Sequence, residues 1–179
     1  MEMKSLVTKD AFVSVRQMAD TISWDKDLKK YAIEAQRFDI LPFMTNSFFW
    51  AMHNSTTKHT EGSIYYKLLH GTEWTFCDET VYFDGLELAI VYFGYSRYIQ
   101  HAPIISTKYG VVQKTNEFSV PVEDVKITRE VAQTRQSGKA ILEDAKLYLD
   151  NNTDIYTLWA SGLSNDASGG AKLKCITNY

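Results

Sequence analysis

DGLELAIVYFGYSRYIQHAP, residues 84–103, is the stretch whose reading decides the fold. From Leu86 to Tyr95 it is apolar nearly all round, and a helix apolar on every side is buried on every side. The stretch therefore predicts a central helix. Asp84 is expected as its N-cap, with Glu87 at the capping-box position, and Pro103 ends it.

Working upstream, TEWTFCDETVYFDG changes period. Trp74 and Phe76 alternate, then Val81 and Phe83, around a Cys-Asp-Glu-Thr turn, which predicts a small β-hairpin. Before it, SIYYKLLHG reads as a short helix closed by Gly71, and HNSTTKHTEG, 53–62, as a polar loop. A helix over about 42–53 carries Phe48, Phe49 and Trp50, with Pro42 at its boundary. Ser23 is expected to cap WDKDLKKYAIEAQRF, whose Trp24, Leu28, Tyr31, Ala32, Ala35 and Phe38 form one stripe. Asp25 and Asp27 suit the positive end of its dipole. A first helix near 9–18 opens at Thr8, with Asp10 in its first turn.

Downstream, ISTKYGVVQKTNEFSVPVED, 105–124, has no helical period. It is either a second hairpin, with GVVQ and EFSV as arms, or an extended arm. Both present unpaired backbone and apolar side chains. A long helix then runs from within 121–128 to about 151, with Pro121 suited to its first turn. Its stripe is Ile127, Val131, Thr134, Gly138, Ile141, Ala145 and Tyr148, a heptad-like seam. Small residues on it admit close approach of another backbone. Some 24–28 residues span roughly 36–42 Å, so the helix either forms one whole edge of the domain or projects at one end. Residues 161–171 read as a flexible linker. The tail KLKCITNY reads as a docking segment, with Leu173, Lys174, Cys175, Ile176 and Tyr179 as its candidates.

The expected fold is therefore mainly α. It is a helical bundle with a buried central helix, a long C-terminal helix and one or two small hairpins or extended arms. Residues 1–160 form one domain and 161–179 a linker and tail. A chain of 179 residues hides roughly 70% of its unfolded surface, enough for a core without metals or disulfides. Its 4 Trp, 11 Tyr and 9 Phe suit either a core or a surface covered later.

Net charge is −3, so no basic excess draws the chain onto DNA or an acidic membrane. The two cysteines, Cys77 and Cys175, read as free thiols in a reducing compartment. MEMKSLVTKDAF lacks the apolar core of a signal peptide, and the apolar run LAIVYF is too short to span a bilayer.

Catalytic motifs are scarce. His53, His59, His70 and His101 do not fall at paired metal-ligand spacings, and exposed loop histidines are the plainer reading. YFGYSR lacks the closing Gly of a nucleophile elbow. The carboxylates of DETVYFD read as a solvated turn and a helix cap. No Lys/Arg stripe interleaves with aromatics, and Lys172 and Lys174 are too few to hold single-stranded nucleic acid. The expectation is no catalytic residue, no metal and no cofactor. A central irregular segment, a seam on the longest helix, surplus aromatics and a tethered tail together point to a part that folds against neighbours.

LVTKDAF, the IEAQ helix, YYKLLHGTEW, FDGLELAIVYFGYSRYI and STKYGVVQKTNEFSVPV, in that order, resemble a family of small proteins encoded beside portal genes in crAss-like and related phages of Bacteroidetes. The likeness covers most of residues 5–160 and excludes the tail. It implies a head–tail connector, or adaptor: a helical, non-catalytic virion protein made in the host cytoplasm. Such proteins close a ring, usually twelve-fold, under the portal protein and bridge it to the next tail or stopper ring, with DNA only as passing cargo and no membrane. Carried over residue by residue, the subunit or portal contacts are Thr107, Tyr109, Gly110, Val111, Val112, Lys114, Asn116, Phe118 and Ser119. A stopper or tail-completion protein one layer further down is the alternative. In another class stands a small cytoplasmic enzyme or ligand-binding helical domain, which would show a pocket of convergent titratable groups.

Overall fold

Helix α5, Leu86–His101, sits at the centre of the core, with Leu88, Tyr92 and Tyr95 on a partly buried face. In the computed structural model, which describes residues 3–15, 22–101, 104–107, 110–113 and 124–159, the fold is mainly α. The strands at 104–107 and 110–113 are described by backbone alone. In chain order the elements are α1 (Lys9–Val15), α2 (Lys29–Ala35), α3 (Asn46–Asn54), α4 (Ile64–His70), β1 (Thr72–Phe76), β2 (Glu79–Phe83), α5, β3 (Ile104–Thr107), β4 (Gly110–Gln113) and α6 (Asp124–Asn151). Among the described residues one buried cluster runs from Leu6 to Trp159.

Two glycines explain how closely α5 is packed. The ring of Phe12, on α1, fills the space a Cβ at Gly94 would need, 2.8 Å from that position. One residue earlier on α5, the ring of Phe93 sits 2.9 Å from where a Cβ of Gly138 would lie on α6. The seam on α6 is therefore used within the chain. Its small residues receive an aromatic ring, where close approach of a backbone had been expected. α5 and α6 run antiparallel: Phe93 meets Gly138, and Arg97 and Arg135 share the carboxylate of Asp39.

Local capping chemistry sets most boundaries. Thr45 Oγ1 accepts from Phe48 N–H at the start of α3, and Ser63 Oγ from Tyr66 N–H at the start of α4. Thr8 Oγ1 accepts from Ala11 N–H, opening α1 where expected. Two expected caps differ. At Ser23 the side chain makes no cap bond; instead Asp27 Oδ2 accepts from the Ser23 N–H. Asp84 is followed by Gly85 before α5 begins at Leu86, and Glu87 bonds His70 instead of closing a capping box. Gly71 and Gly85 stand back to back at φ +91° and +89°, and a Cβ on either would overlap the backbone beside it. That close crossing ties the end of α4 to the start of α5 and sets the hairpin between them.

The hairpin is as read. β1 and β2 pair antiparallel with Trp74 opposite Val81, through a turn at Cys77 and Asp78 with φ 52° and 63°, the left-handed pair of a tight two-residue turn. Cys77 is disulfide-bonded, which overturns the free thiol expected there. The stripe beginning at Trp24 holds through Leu28, Tyr31, Ala32 and Ala35, all buried from Leu28 onward, and then fails. Phe38 is 58% exposed, while Gln36 and Ile40 are buried. Wide π-type turns at Trp24–Leu28 and Gln36–Ile40 bracket α2, and a wider turn moves each later side chain off the 3.6-residue phase.

Buried Gln36 acts as a surrogate strand. Its Oε1 accepts from Leu6 N–H at 2.7 Å and its Nε2 donates to Lys4 O at 2.9 Å. This pins residues 4–6 and buries Leu6. After α6 the chain turns at Asn152, and Tyr156 and Trp159 close the far end of the core. Tyr156 Oη donates to Ile64 O at 2.8 Å, and Trp159 Nε1 donates to Asp150 Oδ1 at 2.9 Å.

Candidate functional site

The helix pair α5/α6 ends unevenly. Pairing Phe93 with Gly138 and Arg97 with Arg135 puts His101 level with about residue 131, so 124–130 extends about 10 Å past the end of α5. Between 124 and 133 no residue is buried, and Val125 is 78% exposed. Ile127 and Val131, in phase with the buried seam, are half-buried. The question of edge or projection is thus answered by an overhang at the N-terminal end of α6.

The second hairpin springs from the same end, two residues after α5. β3 and β4 pair antiparallel, Ile105 with Val112 and Thr107 with Gly110. Among the described strands they pair only with each other, so no described strand pairs their outer edges. GVVQ thus pairs with 104–107, and EFSV, the arm expected for it, lies outside the described residues. Of the expected contact residues, Thr107, Gly110, Val111 and Val112 lie on this hairpin. Tyr109, Lys114, Asn116, Phe118 and Ser119 lie outside the described residues, as do the linker and the tail candidates Leu173, Lys174, Cys175, Ile176 and Tyr179.

Where the overhang begins, Asp39 accepts from Arg97 Nη2 at 2.6 Å and from Arg135 Nη2 at 2.8 Å. The Asp39 side chain is 7% exposed. One carboxylate thereby fastens the turn after α2 to both α5 and α6. Arg97 Nε is buried with no hydrogen-bond partner. The guanidiniums of Arg37 and Arg97 lie over the ring of exposed Phe38, at 5.9 and 5.5 Å.

A second feature was not foreseen. A cleft of about 640 Å³ is lined by Lys4, Ser5, Leu6, His53, Asn54, Lys58 and His59. His53, expected in a loop, is instead 6% exposed at the end of α3; its Nε2–H donates to Lys4 O at 3.0 Å. At the rim, His59 Nδ1 meets His70 Nε2 at 3.3 Å, and His70 Nδ1 meets Glu87 Oε2 at 2.7 Å. Burial, then the neighbouring His70 and Lys58, push the His59 imidazole below its usual range, against a smaller opposing pull from Glu87. No spacing rule finds such a site: residues 4–6, 53–59, 70 and 87 meet only through the fold. Among the described residues no three His, Cys, Asp or Glu side chains converge as a metal site. None of the described helices is long and apolar enough to cross a membrane.

A family model described as a family of unknown function (DUF6712) matches residues 46–169, about two thirds of the chain. No curated protein and no solved structure matches the chain.

Proposed function

The chain belongs to the DUF6712 family, and we propose that it is a structural virion protein, a head–tail connector that forms a closed ring under the portal and bridges it to the next tail component. The observation that carries this reading is the uneven end of the helix pair. An apolar stripe continues along α6 past the last turn of α5, and the hairpin that follows α5 has outer edges that no described strand pairs.

A ring of identical chains needs a heterologous interface, in which one patch binds a different patch on the next copy. A projecting helix end and a hairpin edge suit that task, because strand addition and helix docking both work through preformed backbone. The resemblance in residues 84–120 supplies the ring's place, between portal and tail. DNA passes through the lumen as cargo.

The test is imaging the chain mixed with its portal protein and counting subunits. A closed ring, twelve-fold by the resemblance, with 104–120 against a neighbouring copy or the portal supports the reading. Alanine at Val111, Val112 and Phe118 should leave helicity and monomer melting unchanged and stop co-assembly. Unfolding of the monomer by those changes would make the segment core and remove the interface. A ring seen only on the distal tail side would favour the stopper alternative.

A further inference from the structure

We propose that the cleft between residues 4–6, the end of α3 and the loop through Lys58 and His59 binds a small oxyanion, carried by a phosphate or a carboxylate group. This is independent of assembly into a ring.

Charge makes the first case. The cleft is lined by two lysines and two histidines and by no carboxylate, on a chain whose net charge is −3. Elsewhere several cations are paired: Lys29 with Asp25, Lys146 with Asp150, and Arg97 and Arg135 with Asp39. Among the described residues, neither Lys4 nor Lys58 has a carboxylate within ion-pair distance. Lys58 is half-buried, its Nζ donating to Ser55 O at 3.0 Å. A partly desolvated ammonium without a counter-ion is unfavourable, and an oxyanion in the cleft would remove that cost. The volume lies in the range of small-molecule sites.

Proton chemistry makes the second. A carboxylate oxygen only accepts, so the Nδ1–H of His70 donates to Glu87, and in neutral His70 the lone pair is on Nε2. His59 must then donate through Nδ1, which leaves its own Nε2 as the basic position. Protonating Nε2 creates a cation without breaking the chain to Glu87. The charged and titratable groups facing His59 are Lys58, His70 and Glu87, with Lys4 and His53 across the cleft. Burial and the Lys58 ammonium disfavour that proton when nothing is bound. A bound oxyanion favours it, so binding takes up a proton and tightens as pH falls.

The probes are inorganic phosphate and citrate, added to the full chain, with the His59 ring signals followed by NMR and heat by calorimetry. The expected result is a saturable His59 shift, at about millimolar probe or below, with the His59 titration midpoint raised in the bound form. Lys58→Met and Lys4→Met, which keep the alkyl stem, should each weaken binding roughly tenfold, while Lys139→Met on exposed α6 should not. His59→Gln should abolish proton uptake on binding. Saturation by one probe alone identifies the oxyanion source. Failure of both to shift His59 saturably in the wild-type chain would overturn the site, as would equal weakening by Lys139→Met.

Discussion

The two halves of α6 share one pattern and meet different fates. From Thr134 to Leu149 the stripe is buried, with Gly138 receiving the Phe93 ring and Tyr148 stacked on Phe83 at 5.1 Å between ring centres. From Asp124 to Gln133 the same stripe continues in phase through Ile127 and Val131, yet no residue is buried. Apolar periodicity states that a face expects cover. Among the described residues, that cover is supplied only where α5 runs alongside. The difference between the halves is thus a difference of partner and not of helix. The strongest predictions are those that separate what α5 covers from what it leaves uncovered.

The largest effect is expected in the covered half. Tyr148→Ala removes a ring packed on Phe83, Trp74 and Tyr156, and a hydroxyl 3.2 Å from Tyr156 Oη. Truncation of a buried aromatic costs about 3–5 kcal/mol, and urea unfolding should read a loss of that order. The Tyr156 phenol would keep its bond to Ile64 O but lose the Tyr148 hydroxyl, in a site where burial holds it neutral far above its usual range. Loss of less than about 1 kcal/mol would mean that α6 is not anchored at this end.

How much of this was legible depends on whether the cause is local. The burial of α5, the hairpin after Gly71 and the caps at Thr8, Thr45 and Ser63 each follow from a few neighbouring residues, and the sequence shows them. Phe38 was misassigned because two wide turns shift the phase, and no periodicity count registers a turn that has not yet been seen. Tyr156 and Trp159 were missed because each is bonded to distant positions, Ile64 and the α6 end. The register of β3 with β4 was missed because a strand such as GVVQ carries no mark of which side its partner is on. The cleft at Lys4, Lys58 and His59 depends on Gln36 holding the N-terminal segment, a bond across thirty residues, and nothing local encodes it.

A middle-sized effect tests the junction between the halves. Asp39→Ala leaves Arg97 and Arg135 without their shared carboxylate. Breaking a buried ion pair from one side costs about 3–5 kcal/mol; here Arg135 is 36% exposed, so solvent screening reduces the expected loss to about 2 kcal/mol. Asp39→Asn should cost less, because an amide oxygen still accepts one bond. Hydrogen exchange should show protection falling at the α6 turn around Arg135 before it falls at Tyr148. Uniform loss along the helix would instead mean that α6 unfolds as one unit and that Asp39 is no special fastening.

The smallest effect on the lone chain is expected in the uncovered half, and there a null result is informative. Val125→Ala, Ile127→Ala and Val131→Ala remove apolar side chains that nothing in the chain fully buries. Each should change stability by no more than about 0.5 kcal/mol, and the better helix propensity of Ala offsets part of that. If these residues meet a neighbouring copy or the portal, the triple variant should melt like the wild type and fail to assemble, because the area lost belongs to an interface and not to the core. A drop in melting of the isolated chain comparable to that of Tyr148→Ala would show that the first turns of α6 are covered from within. The two halves would then differ only in degree, and the overhang would give no reason to expect a partner.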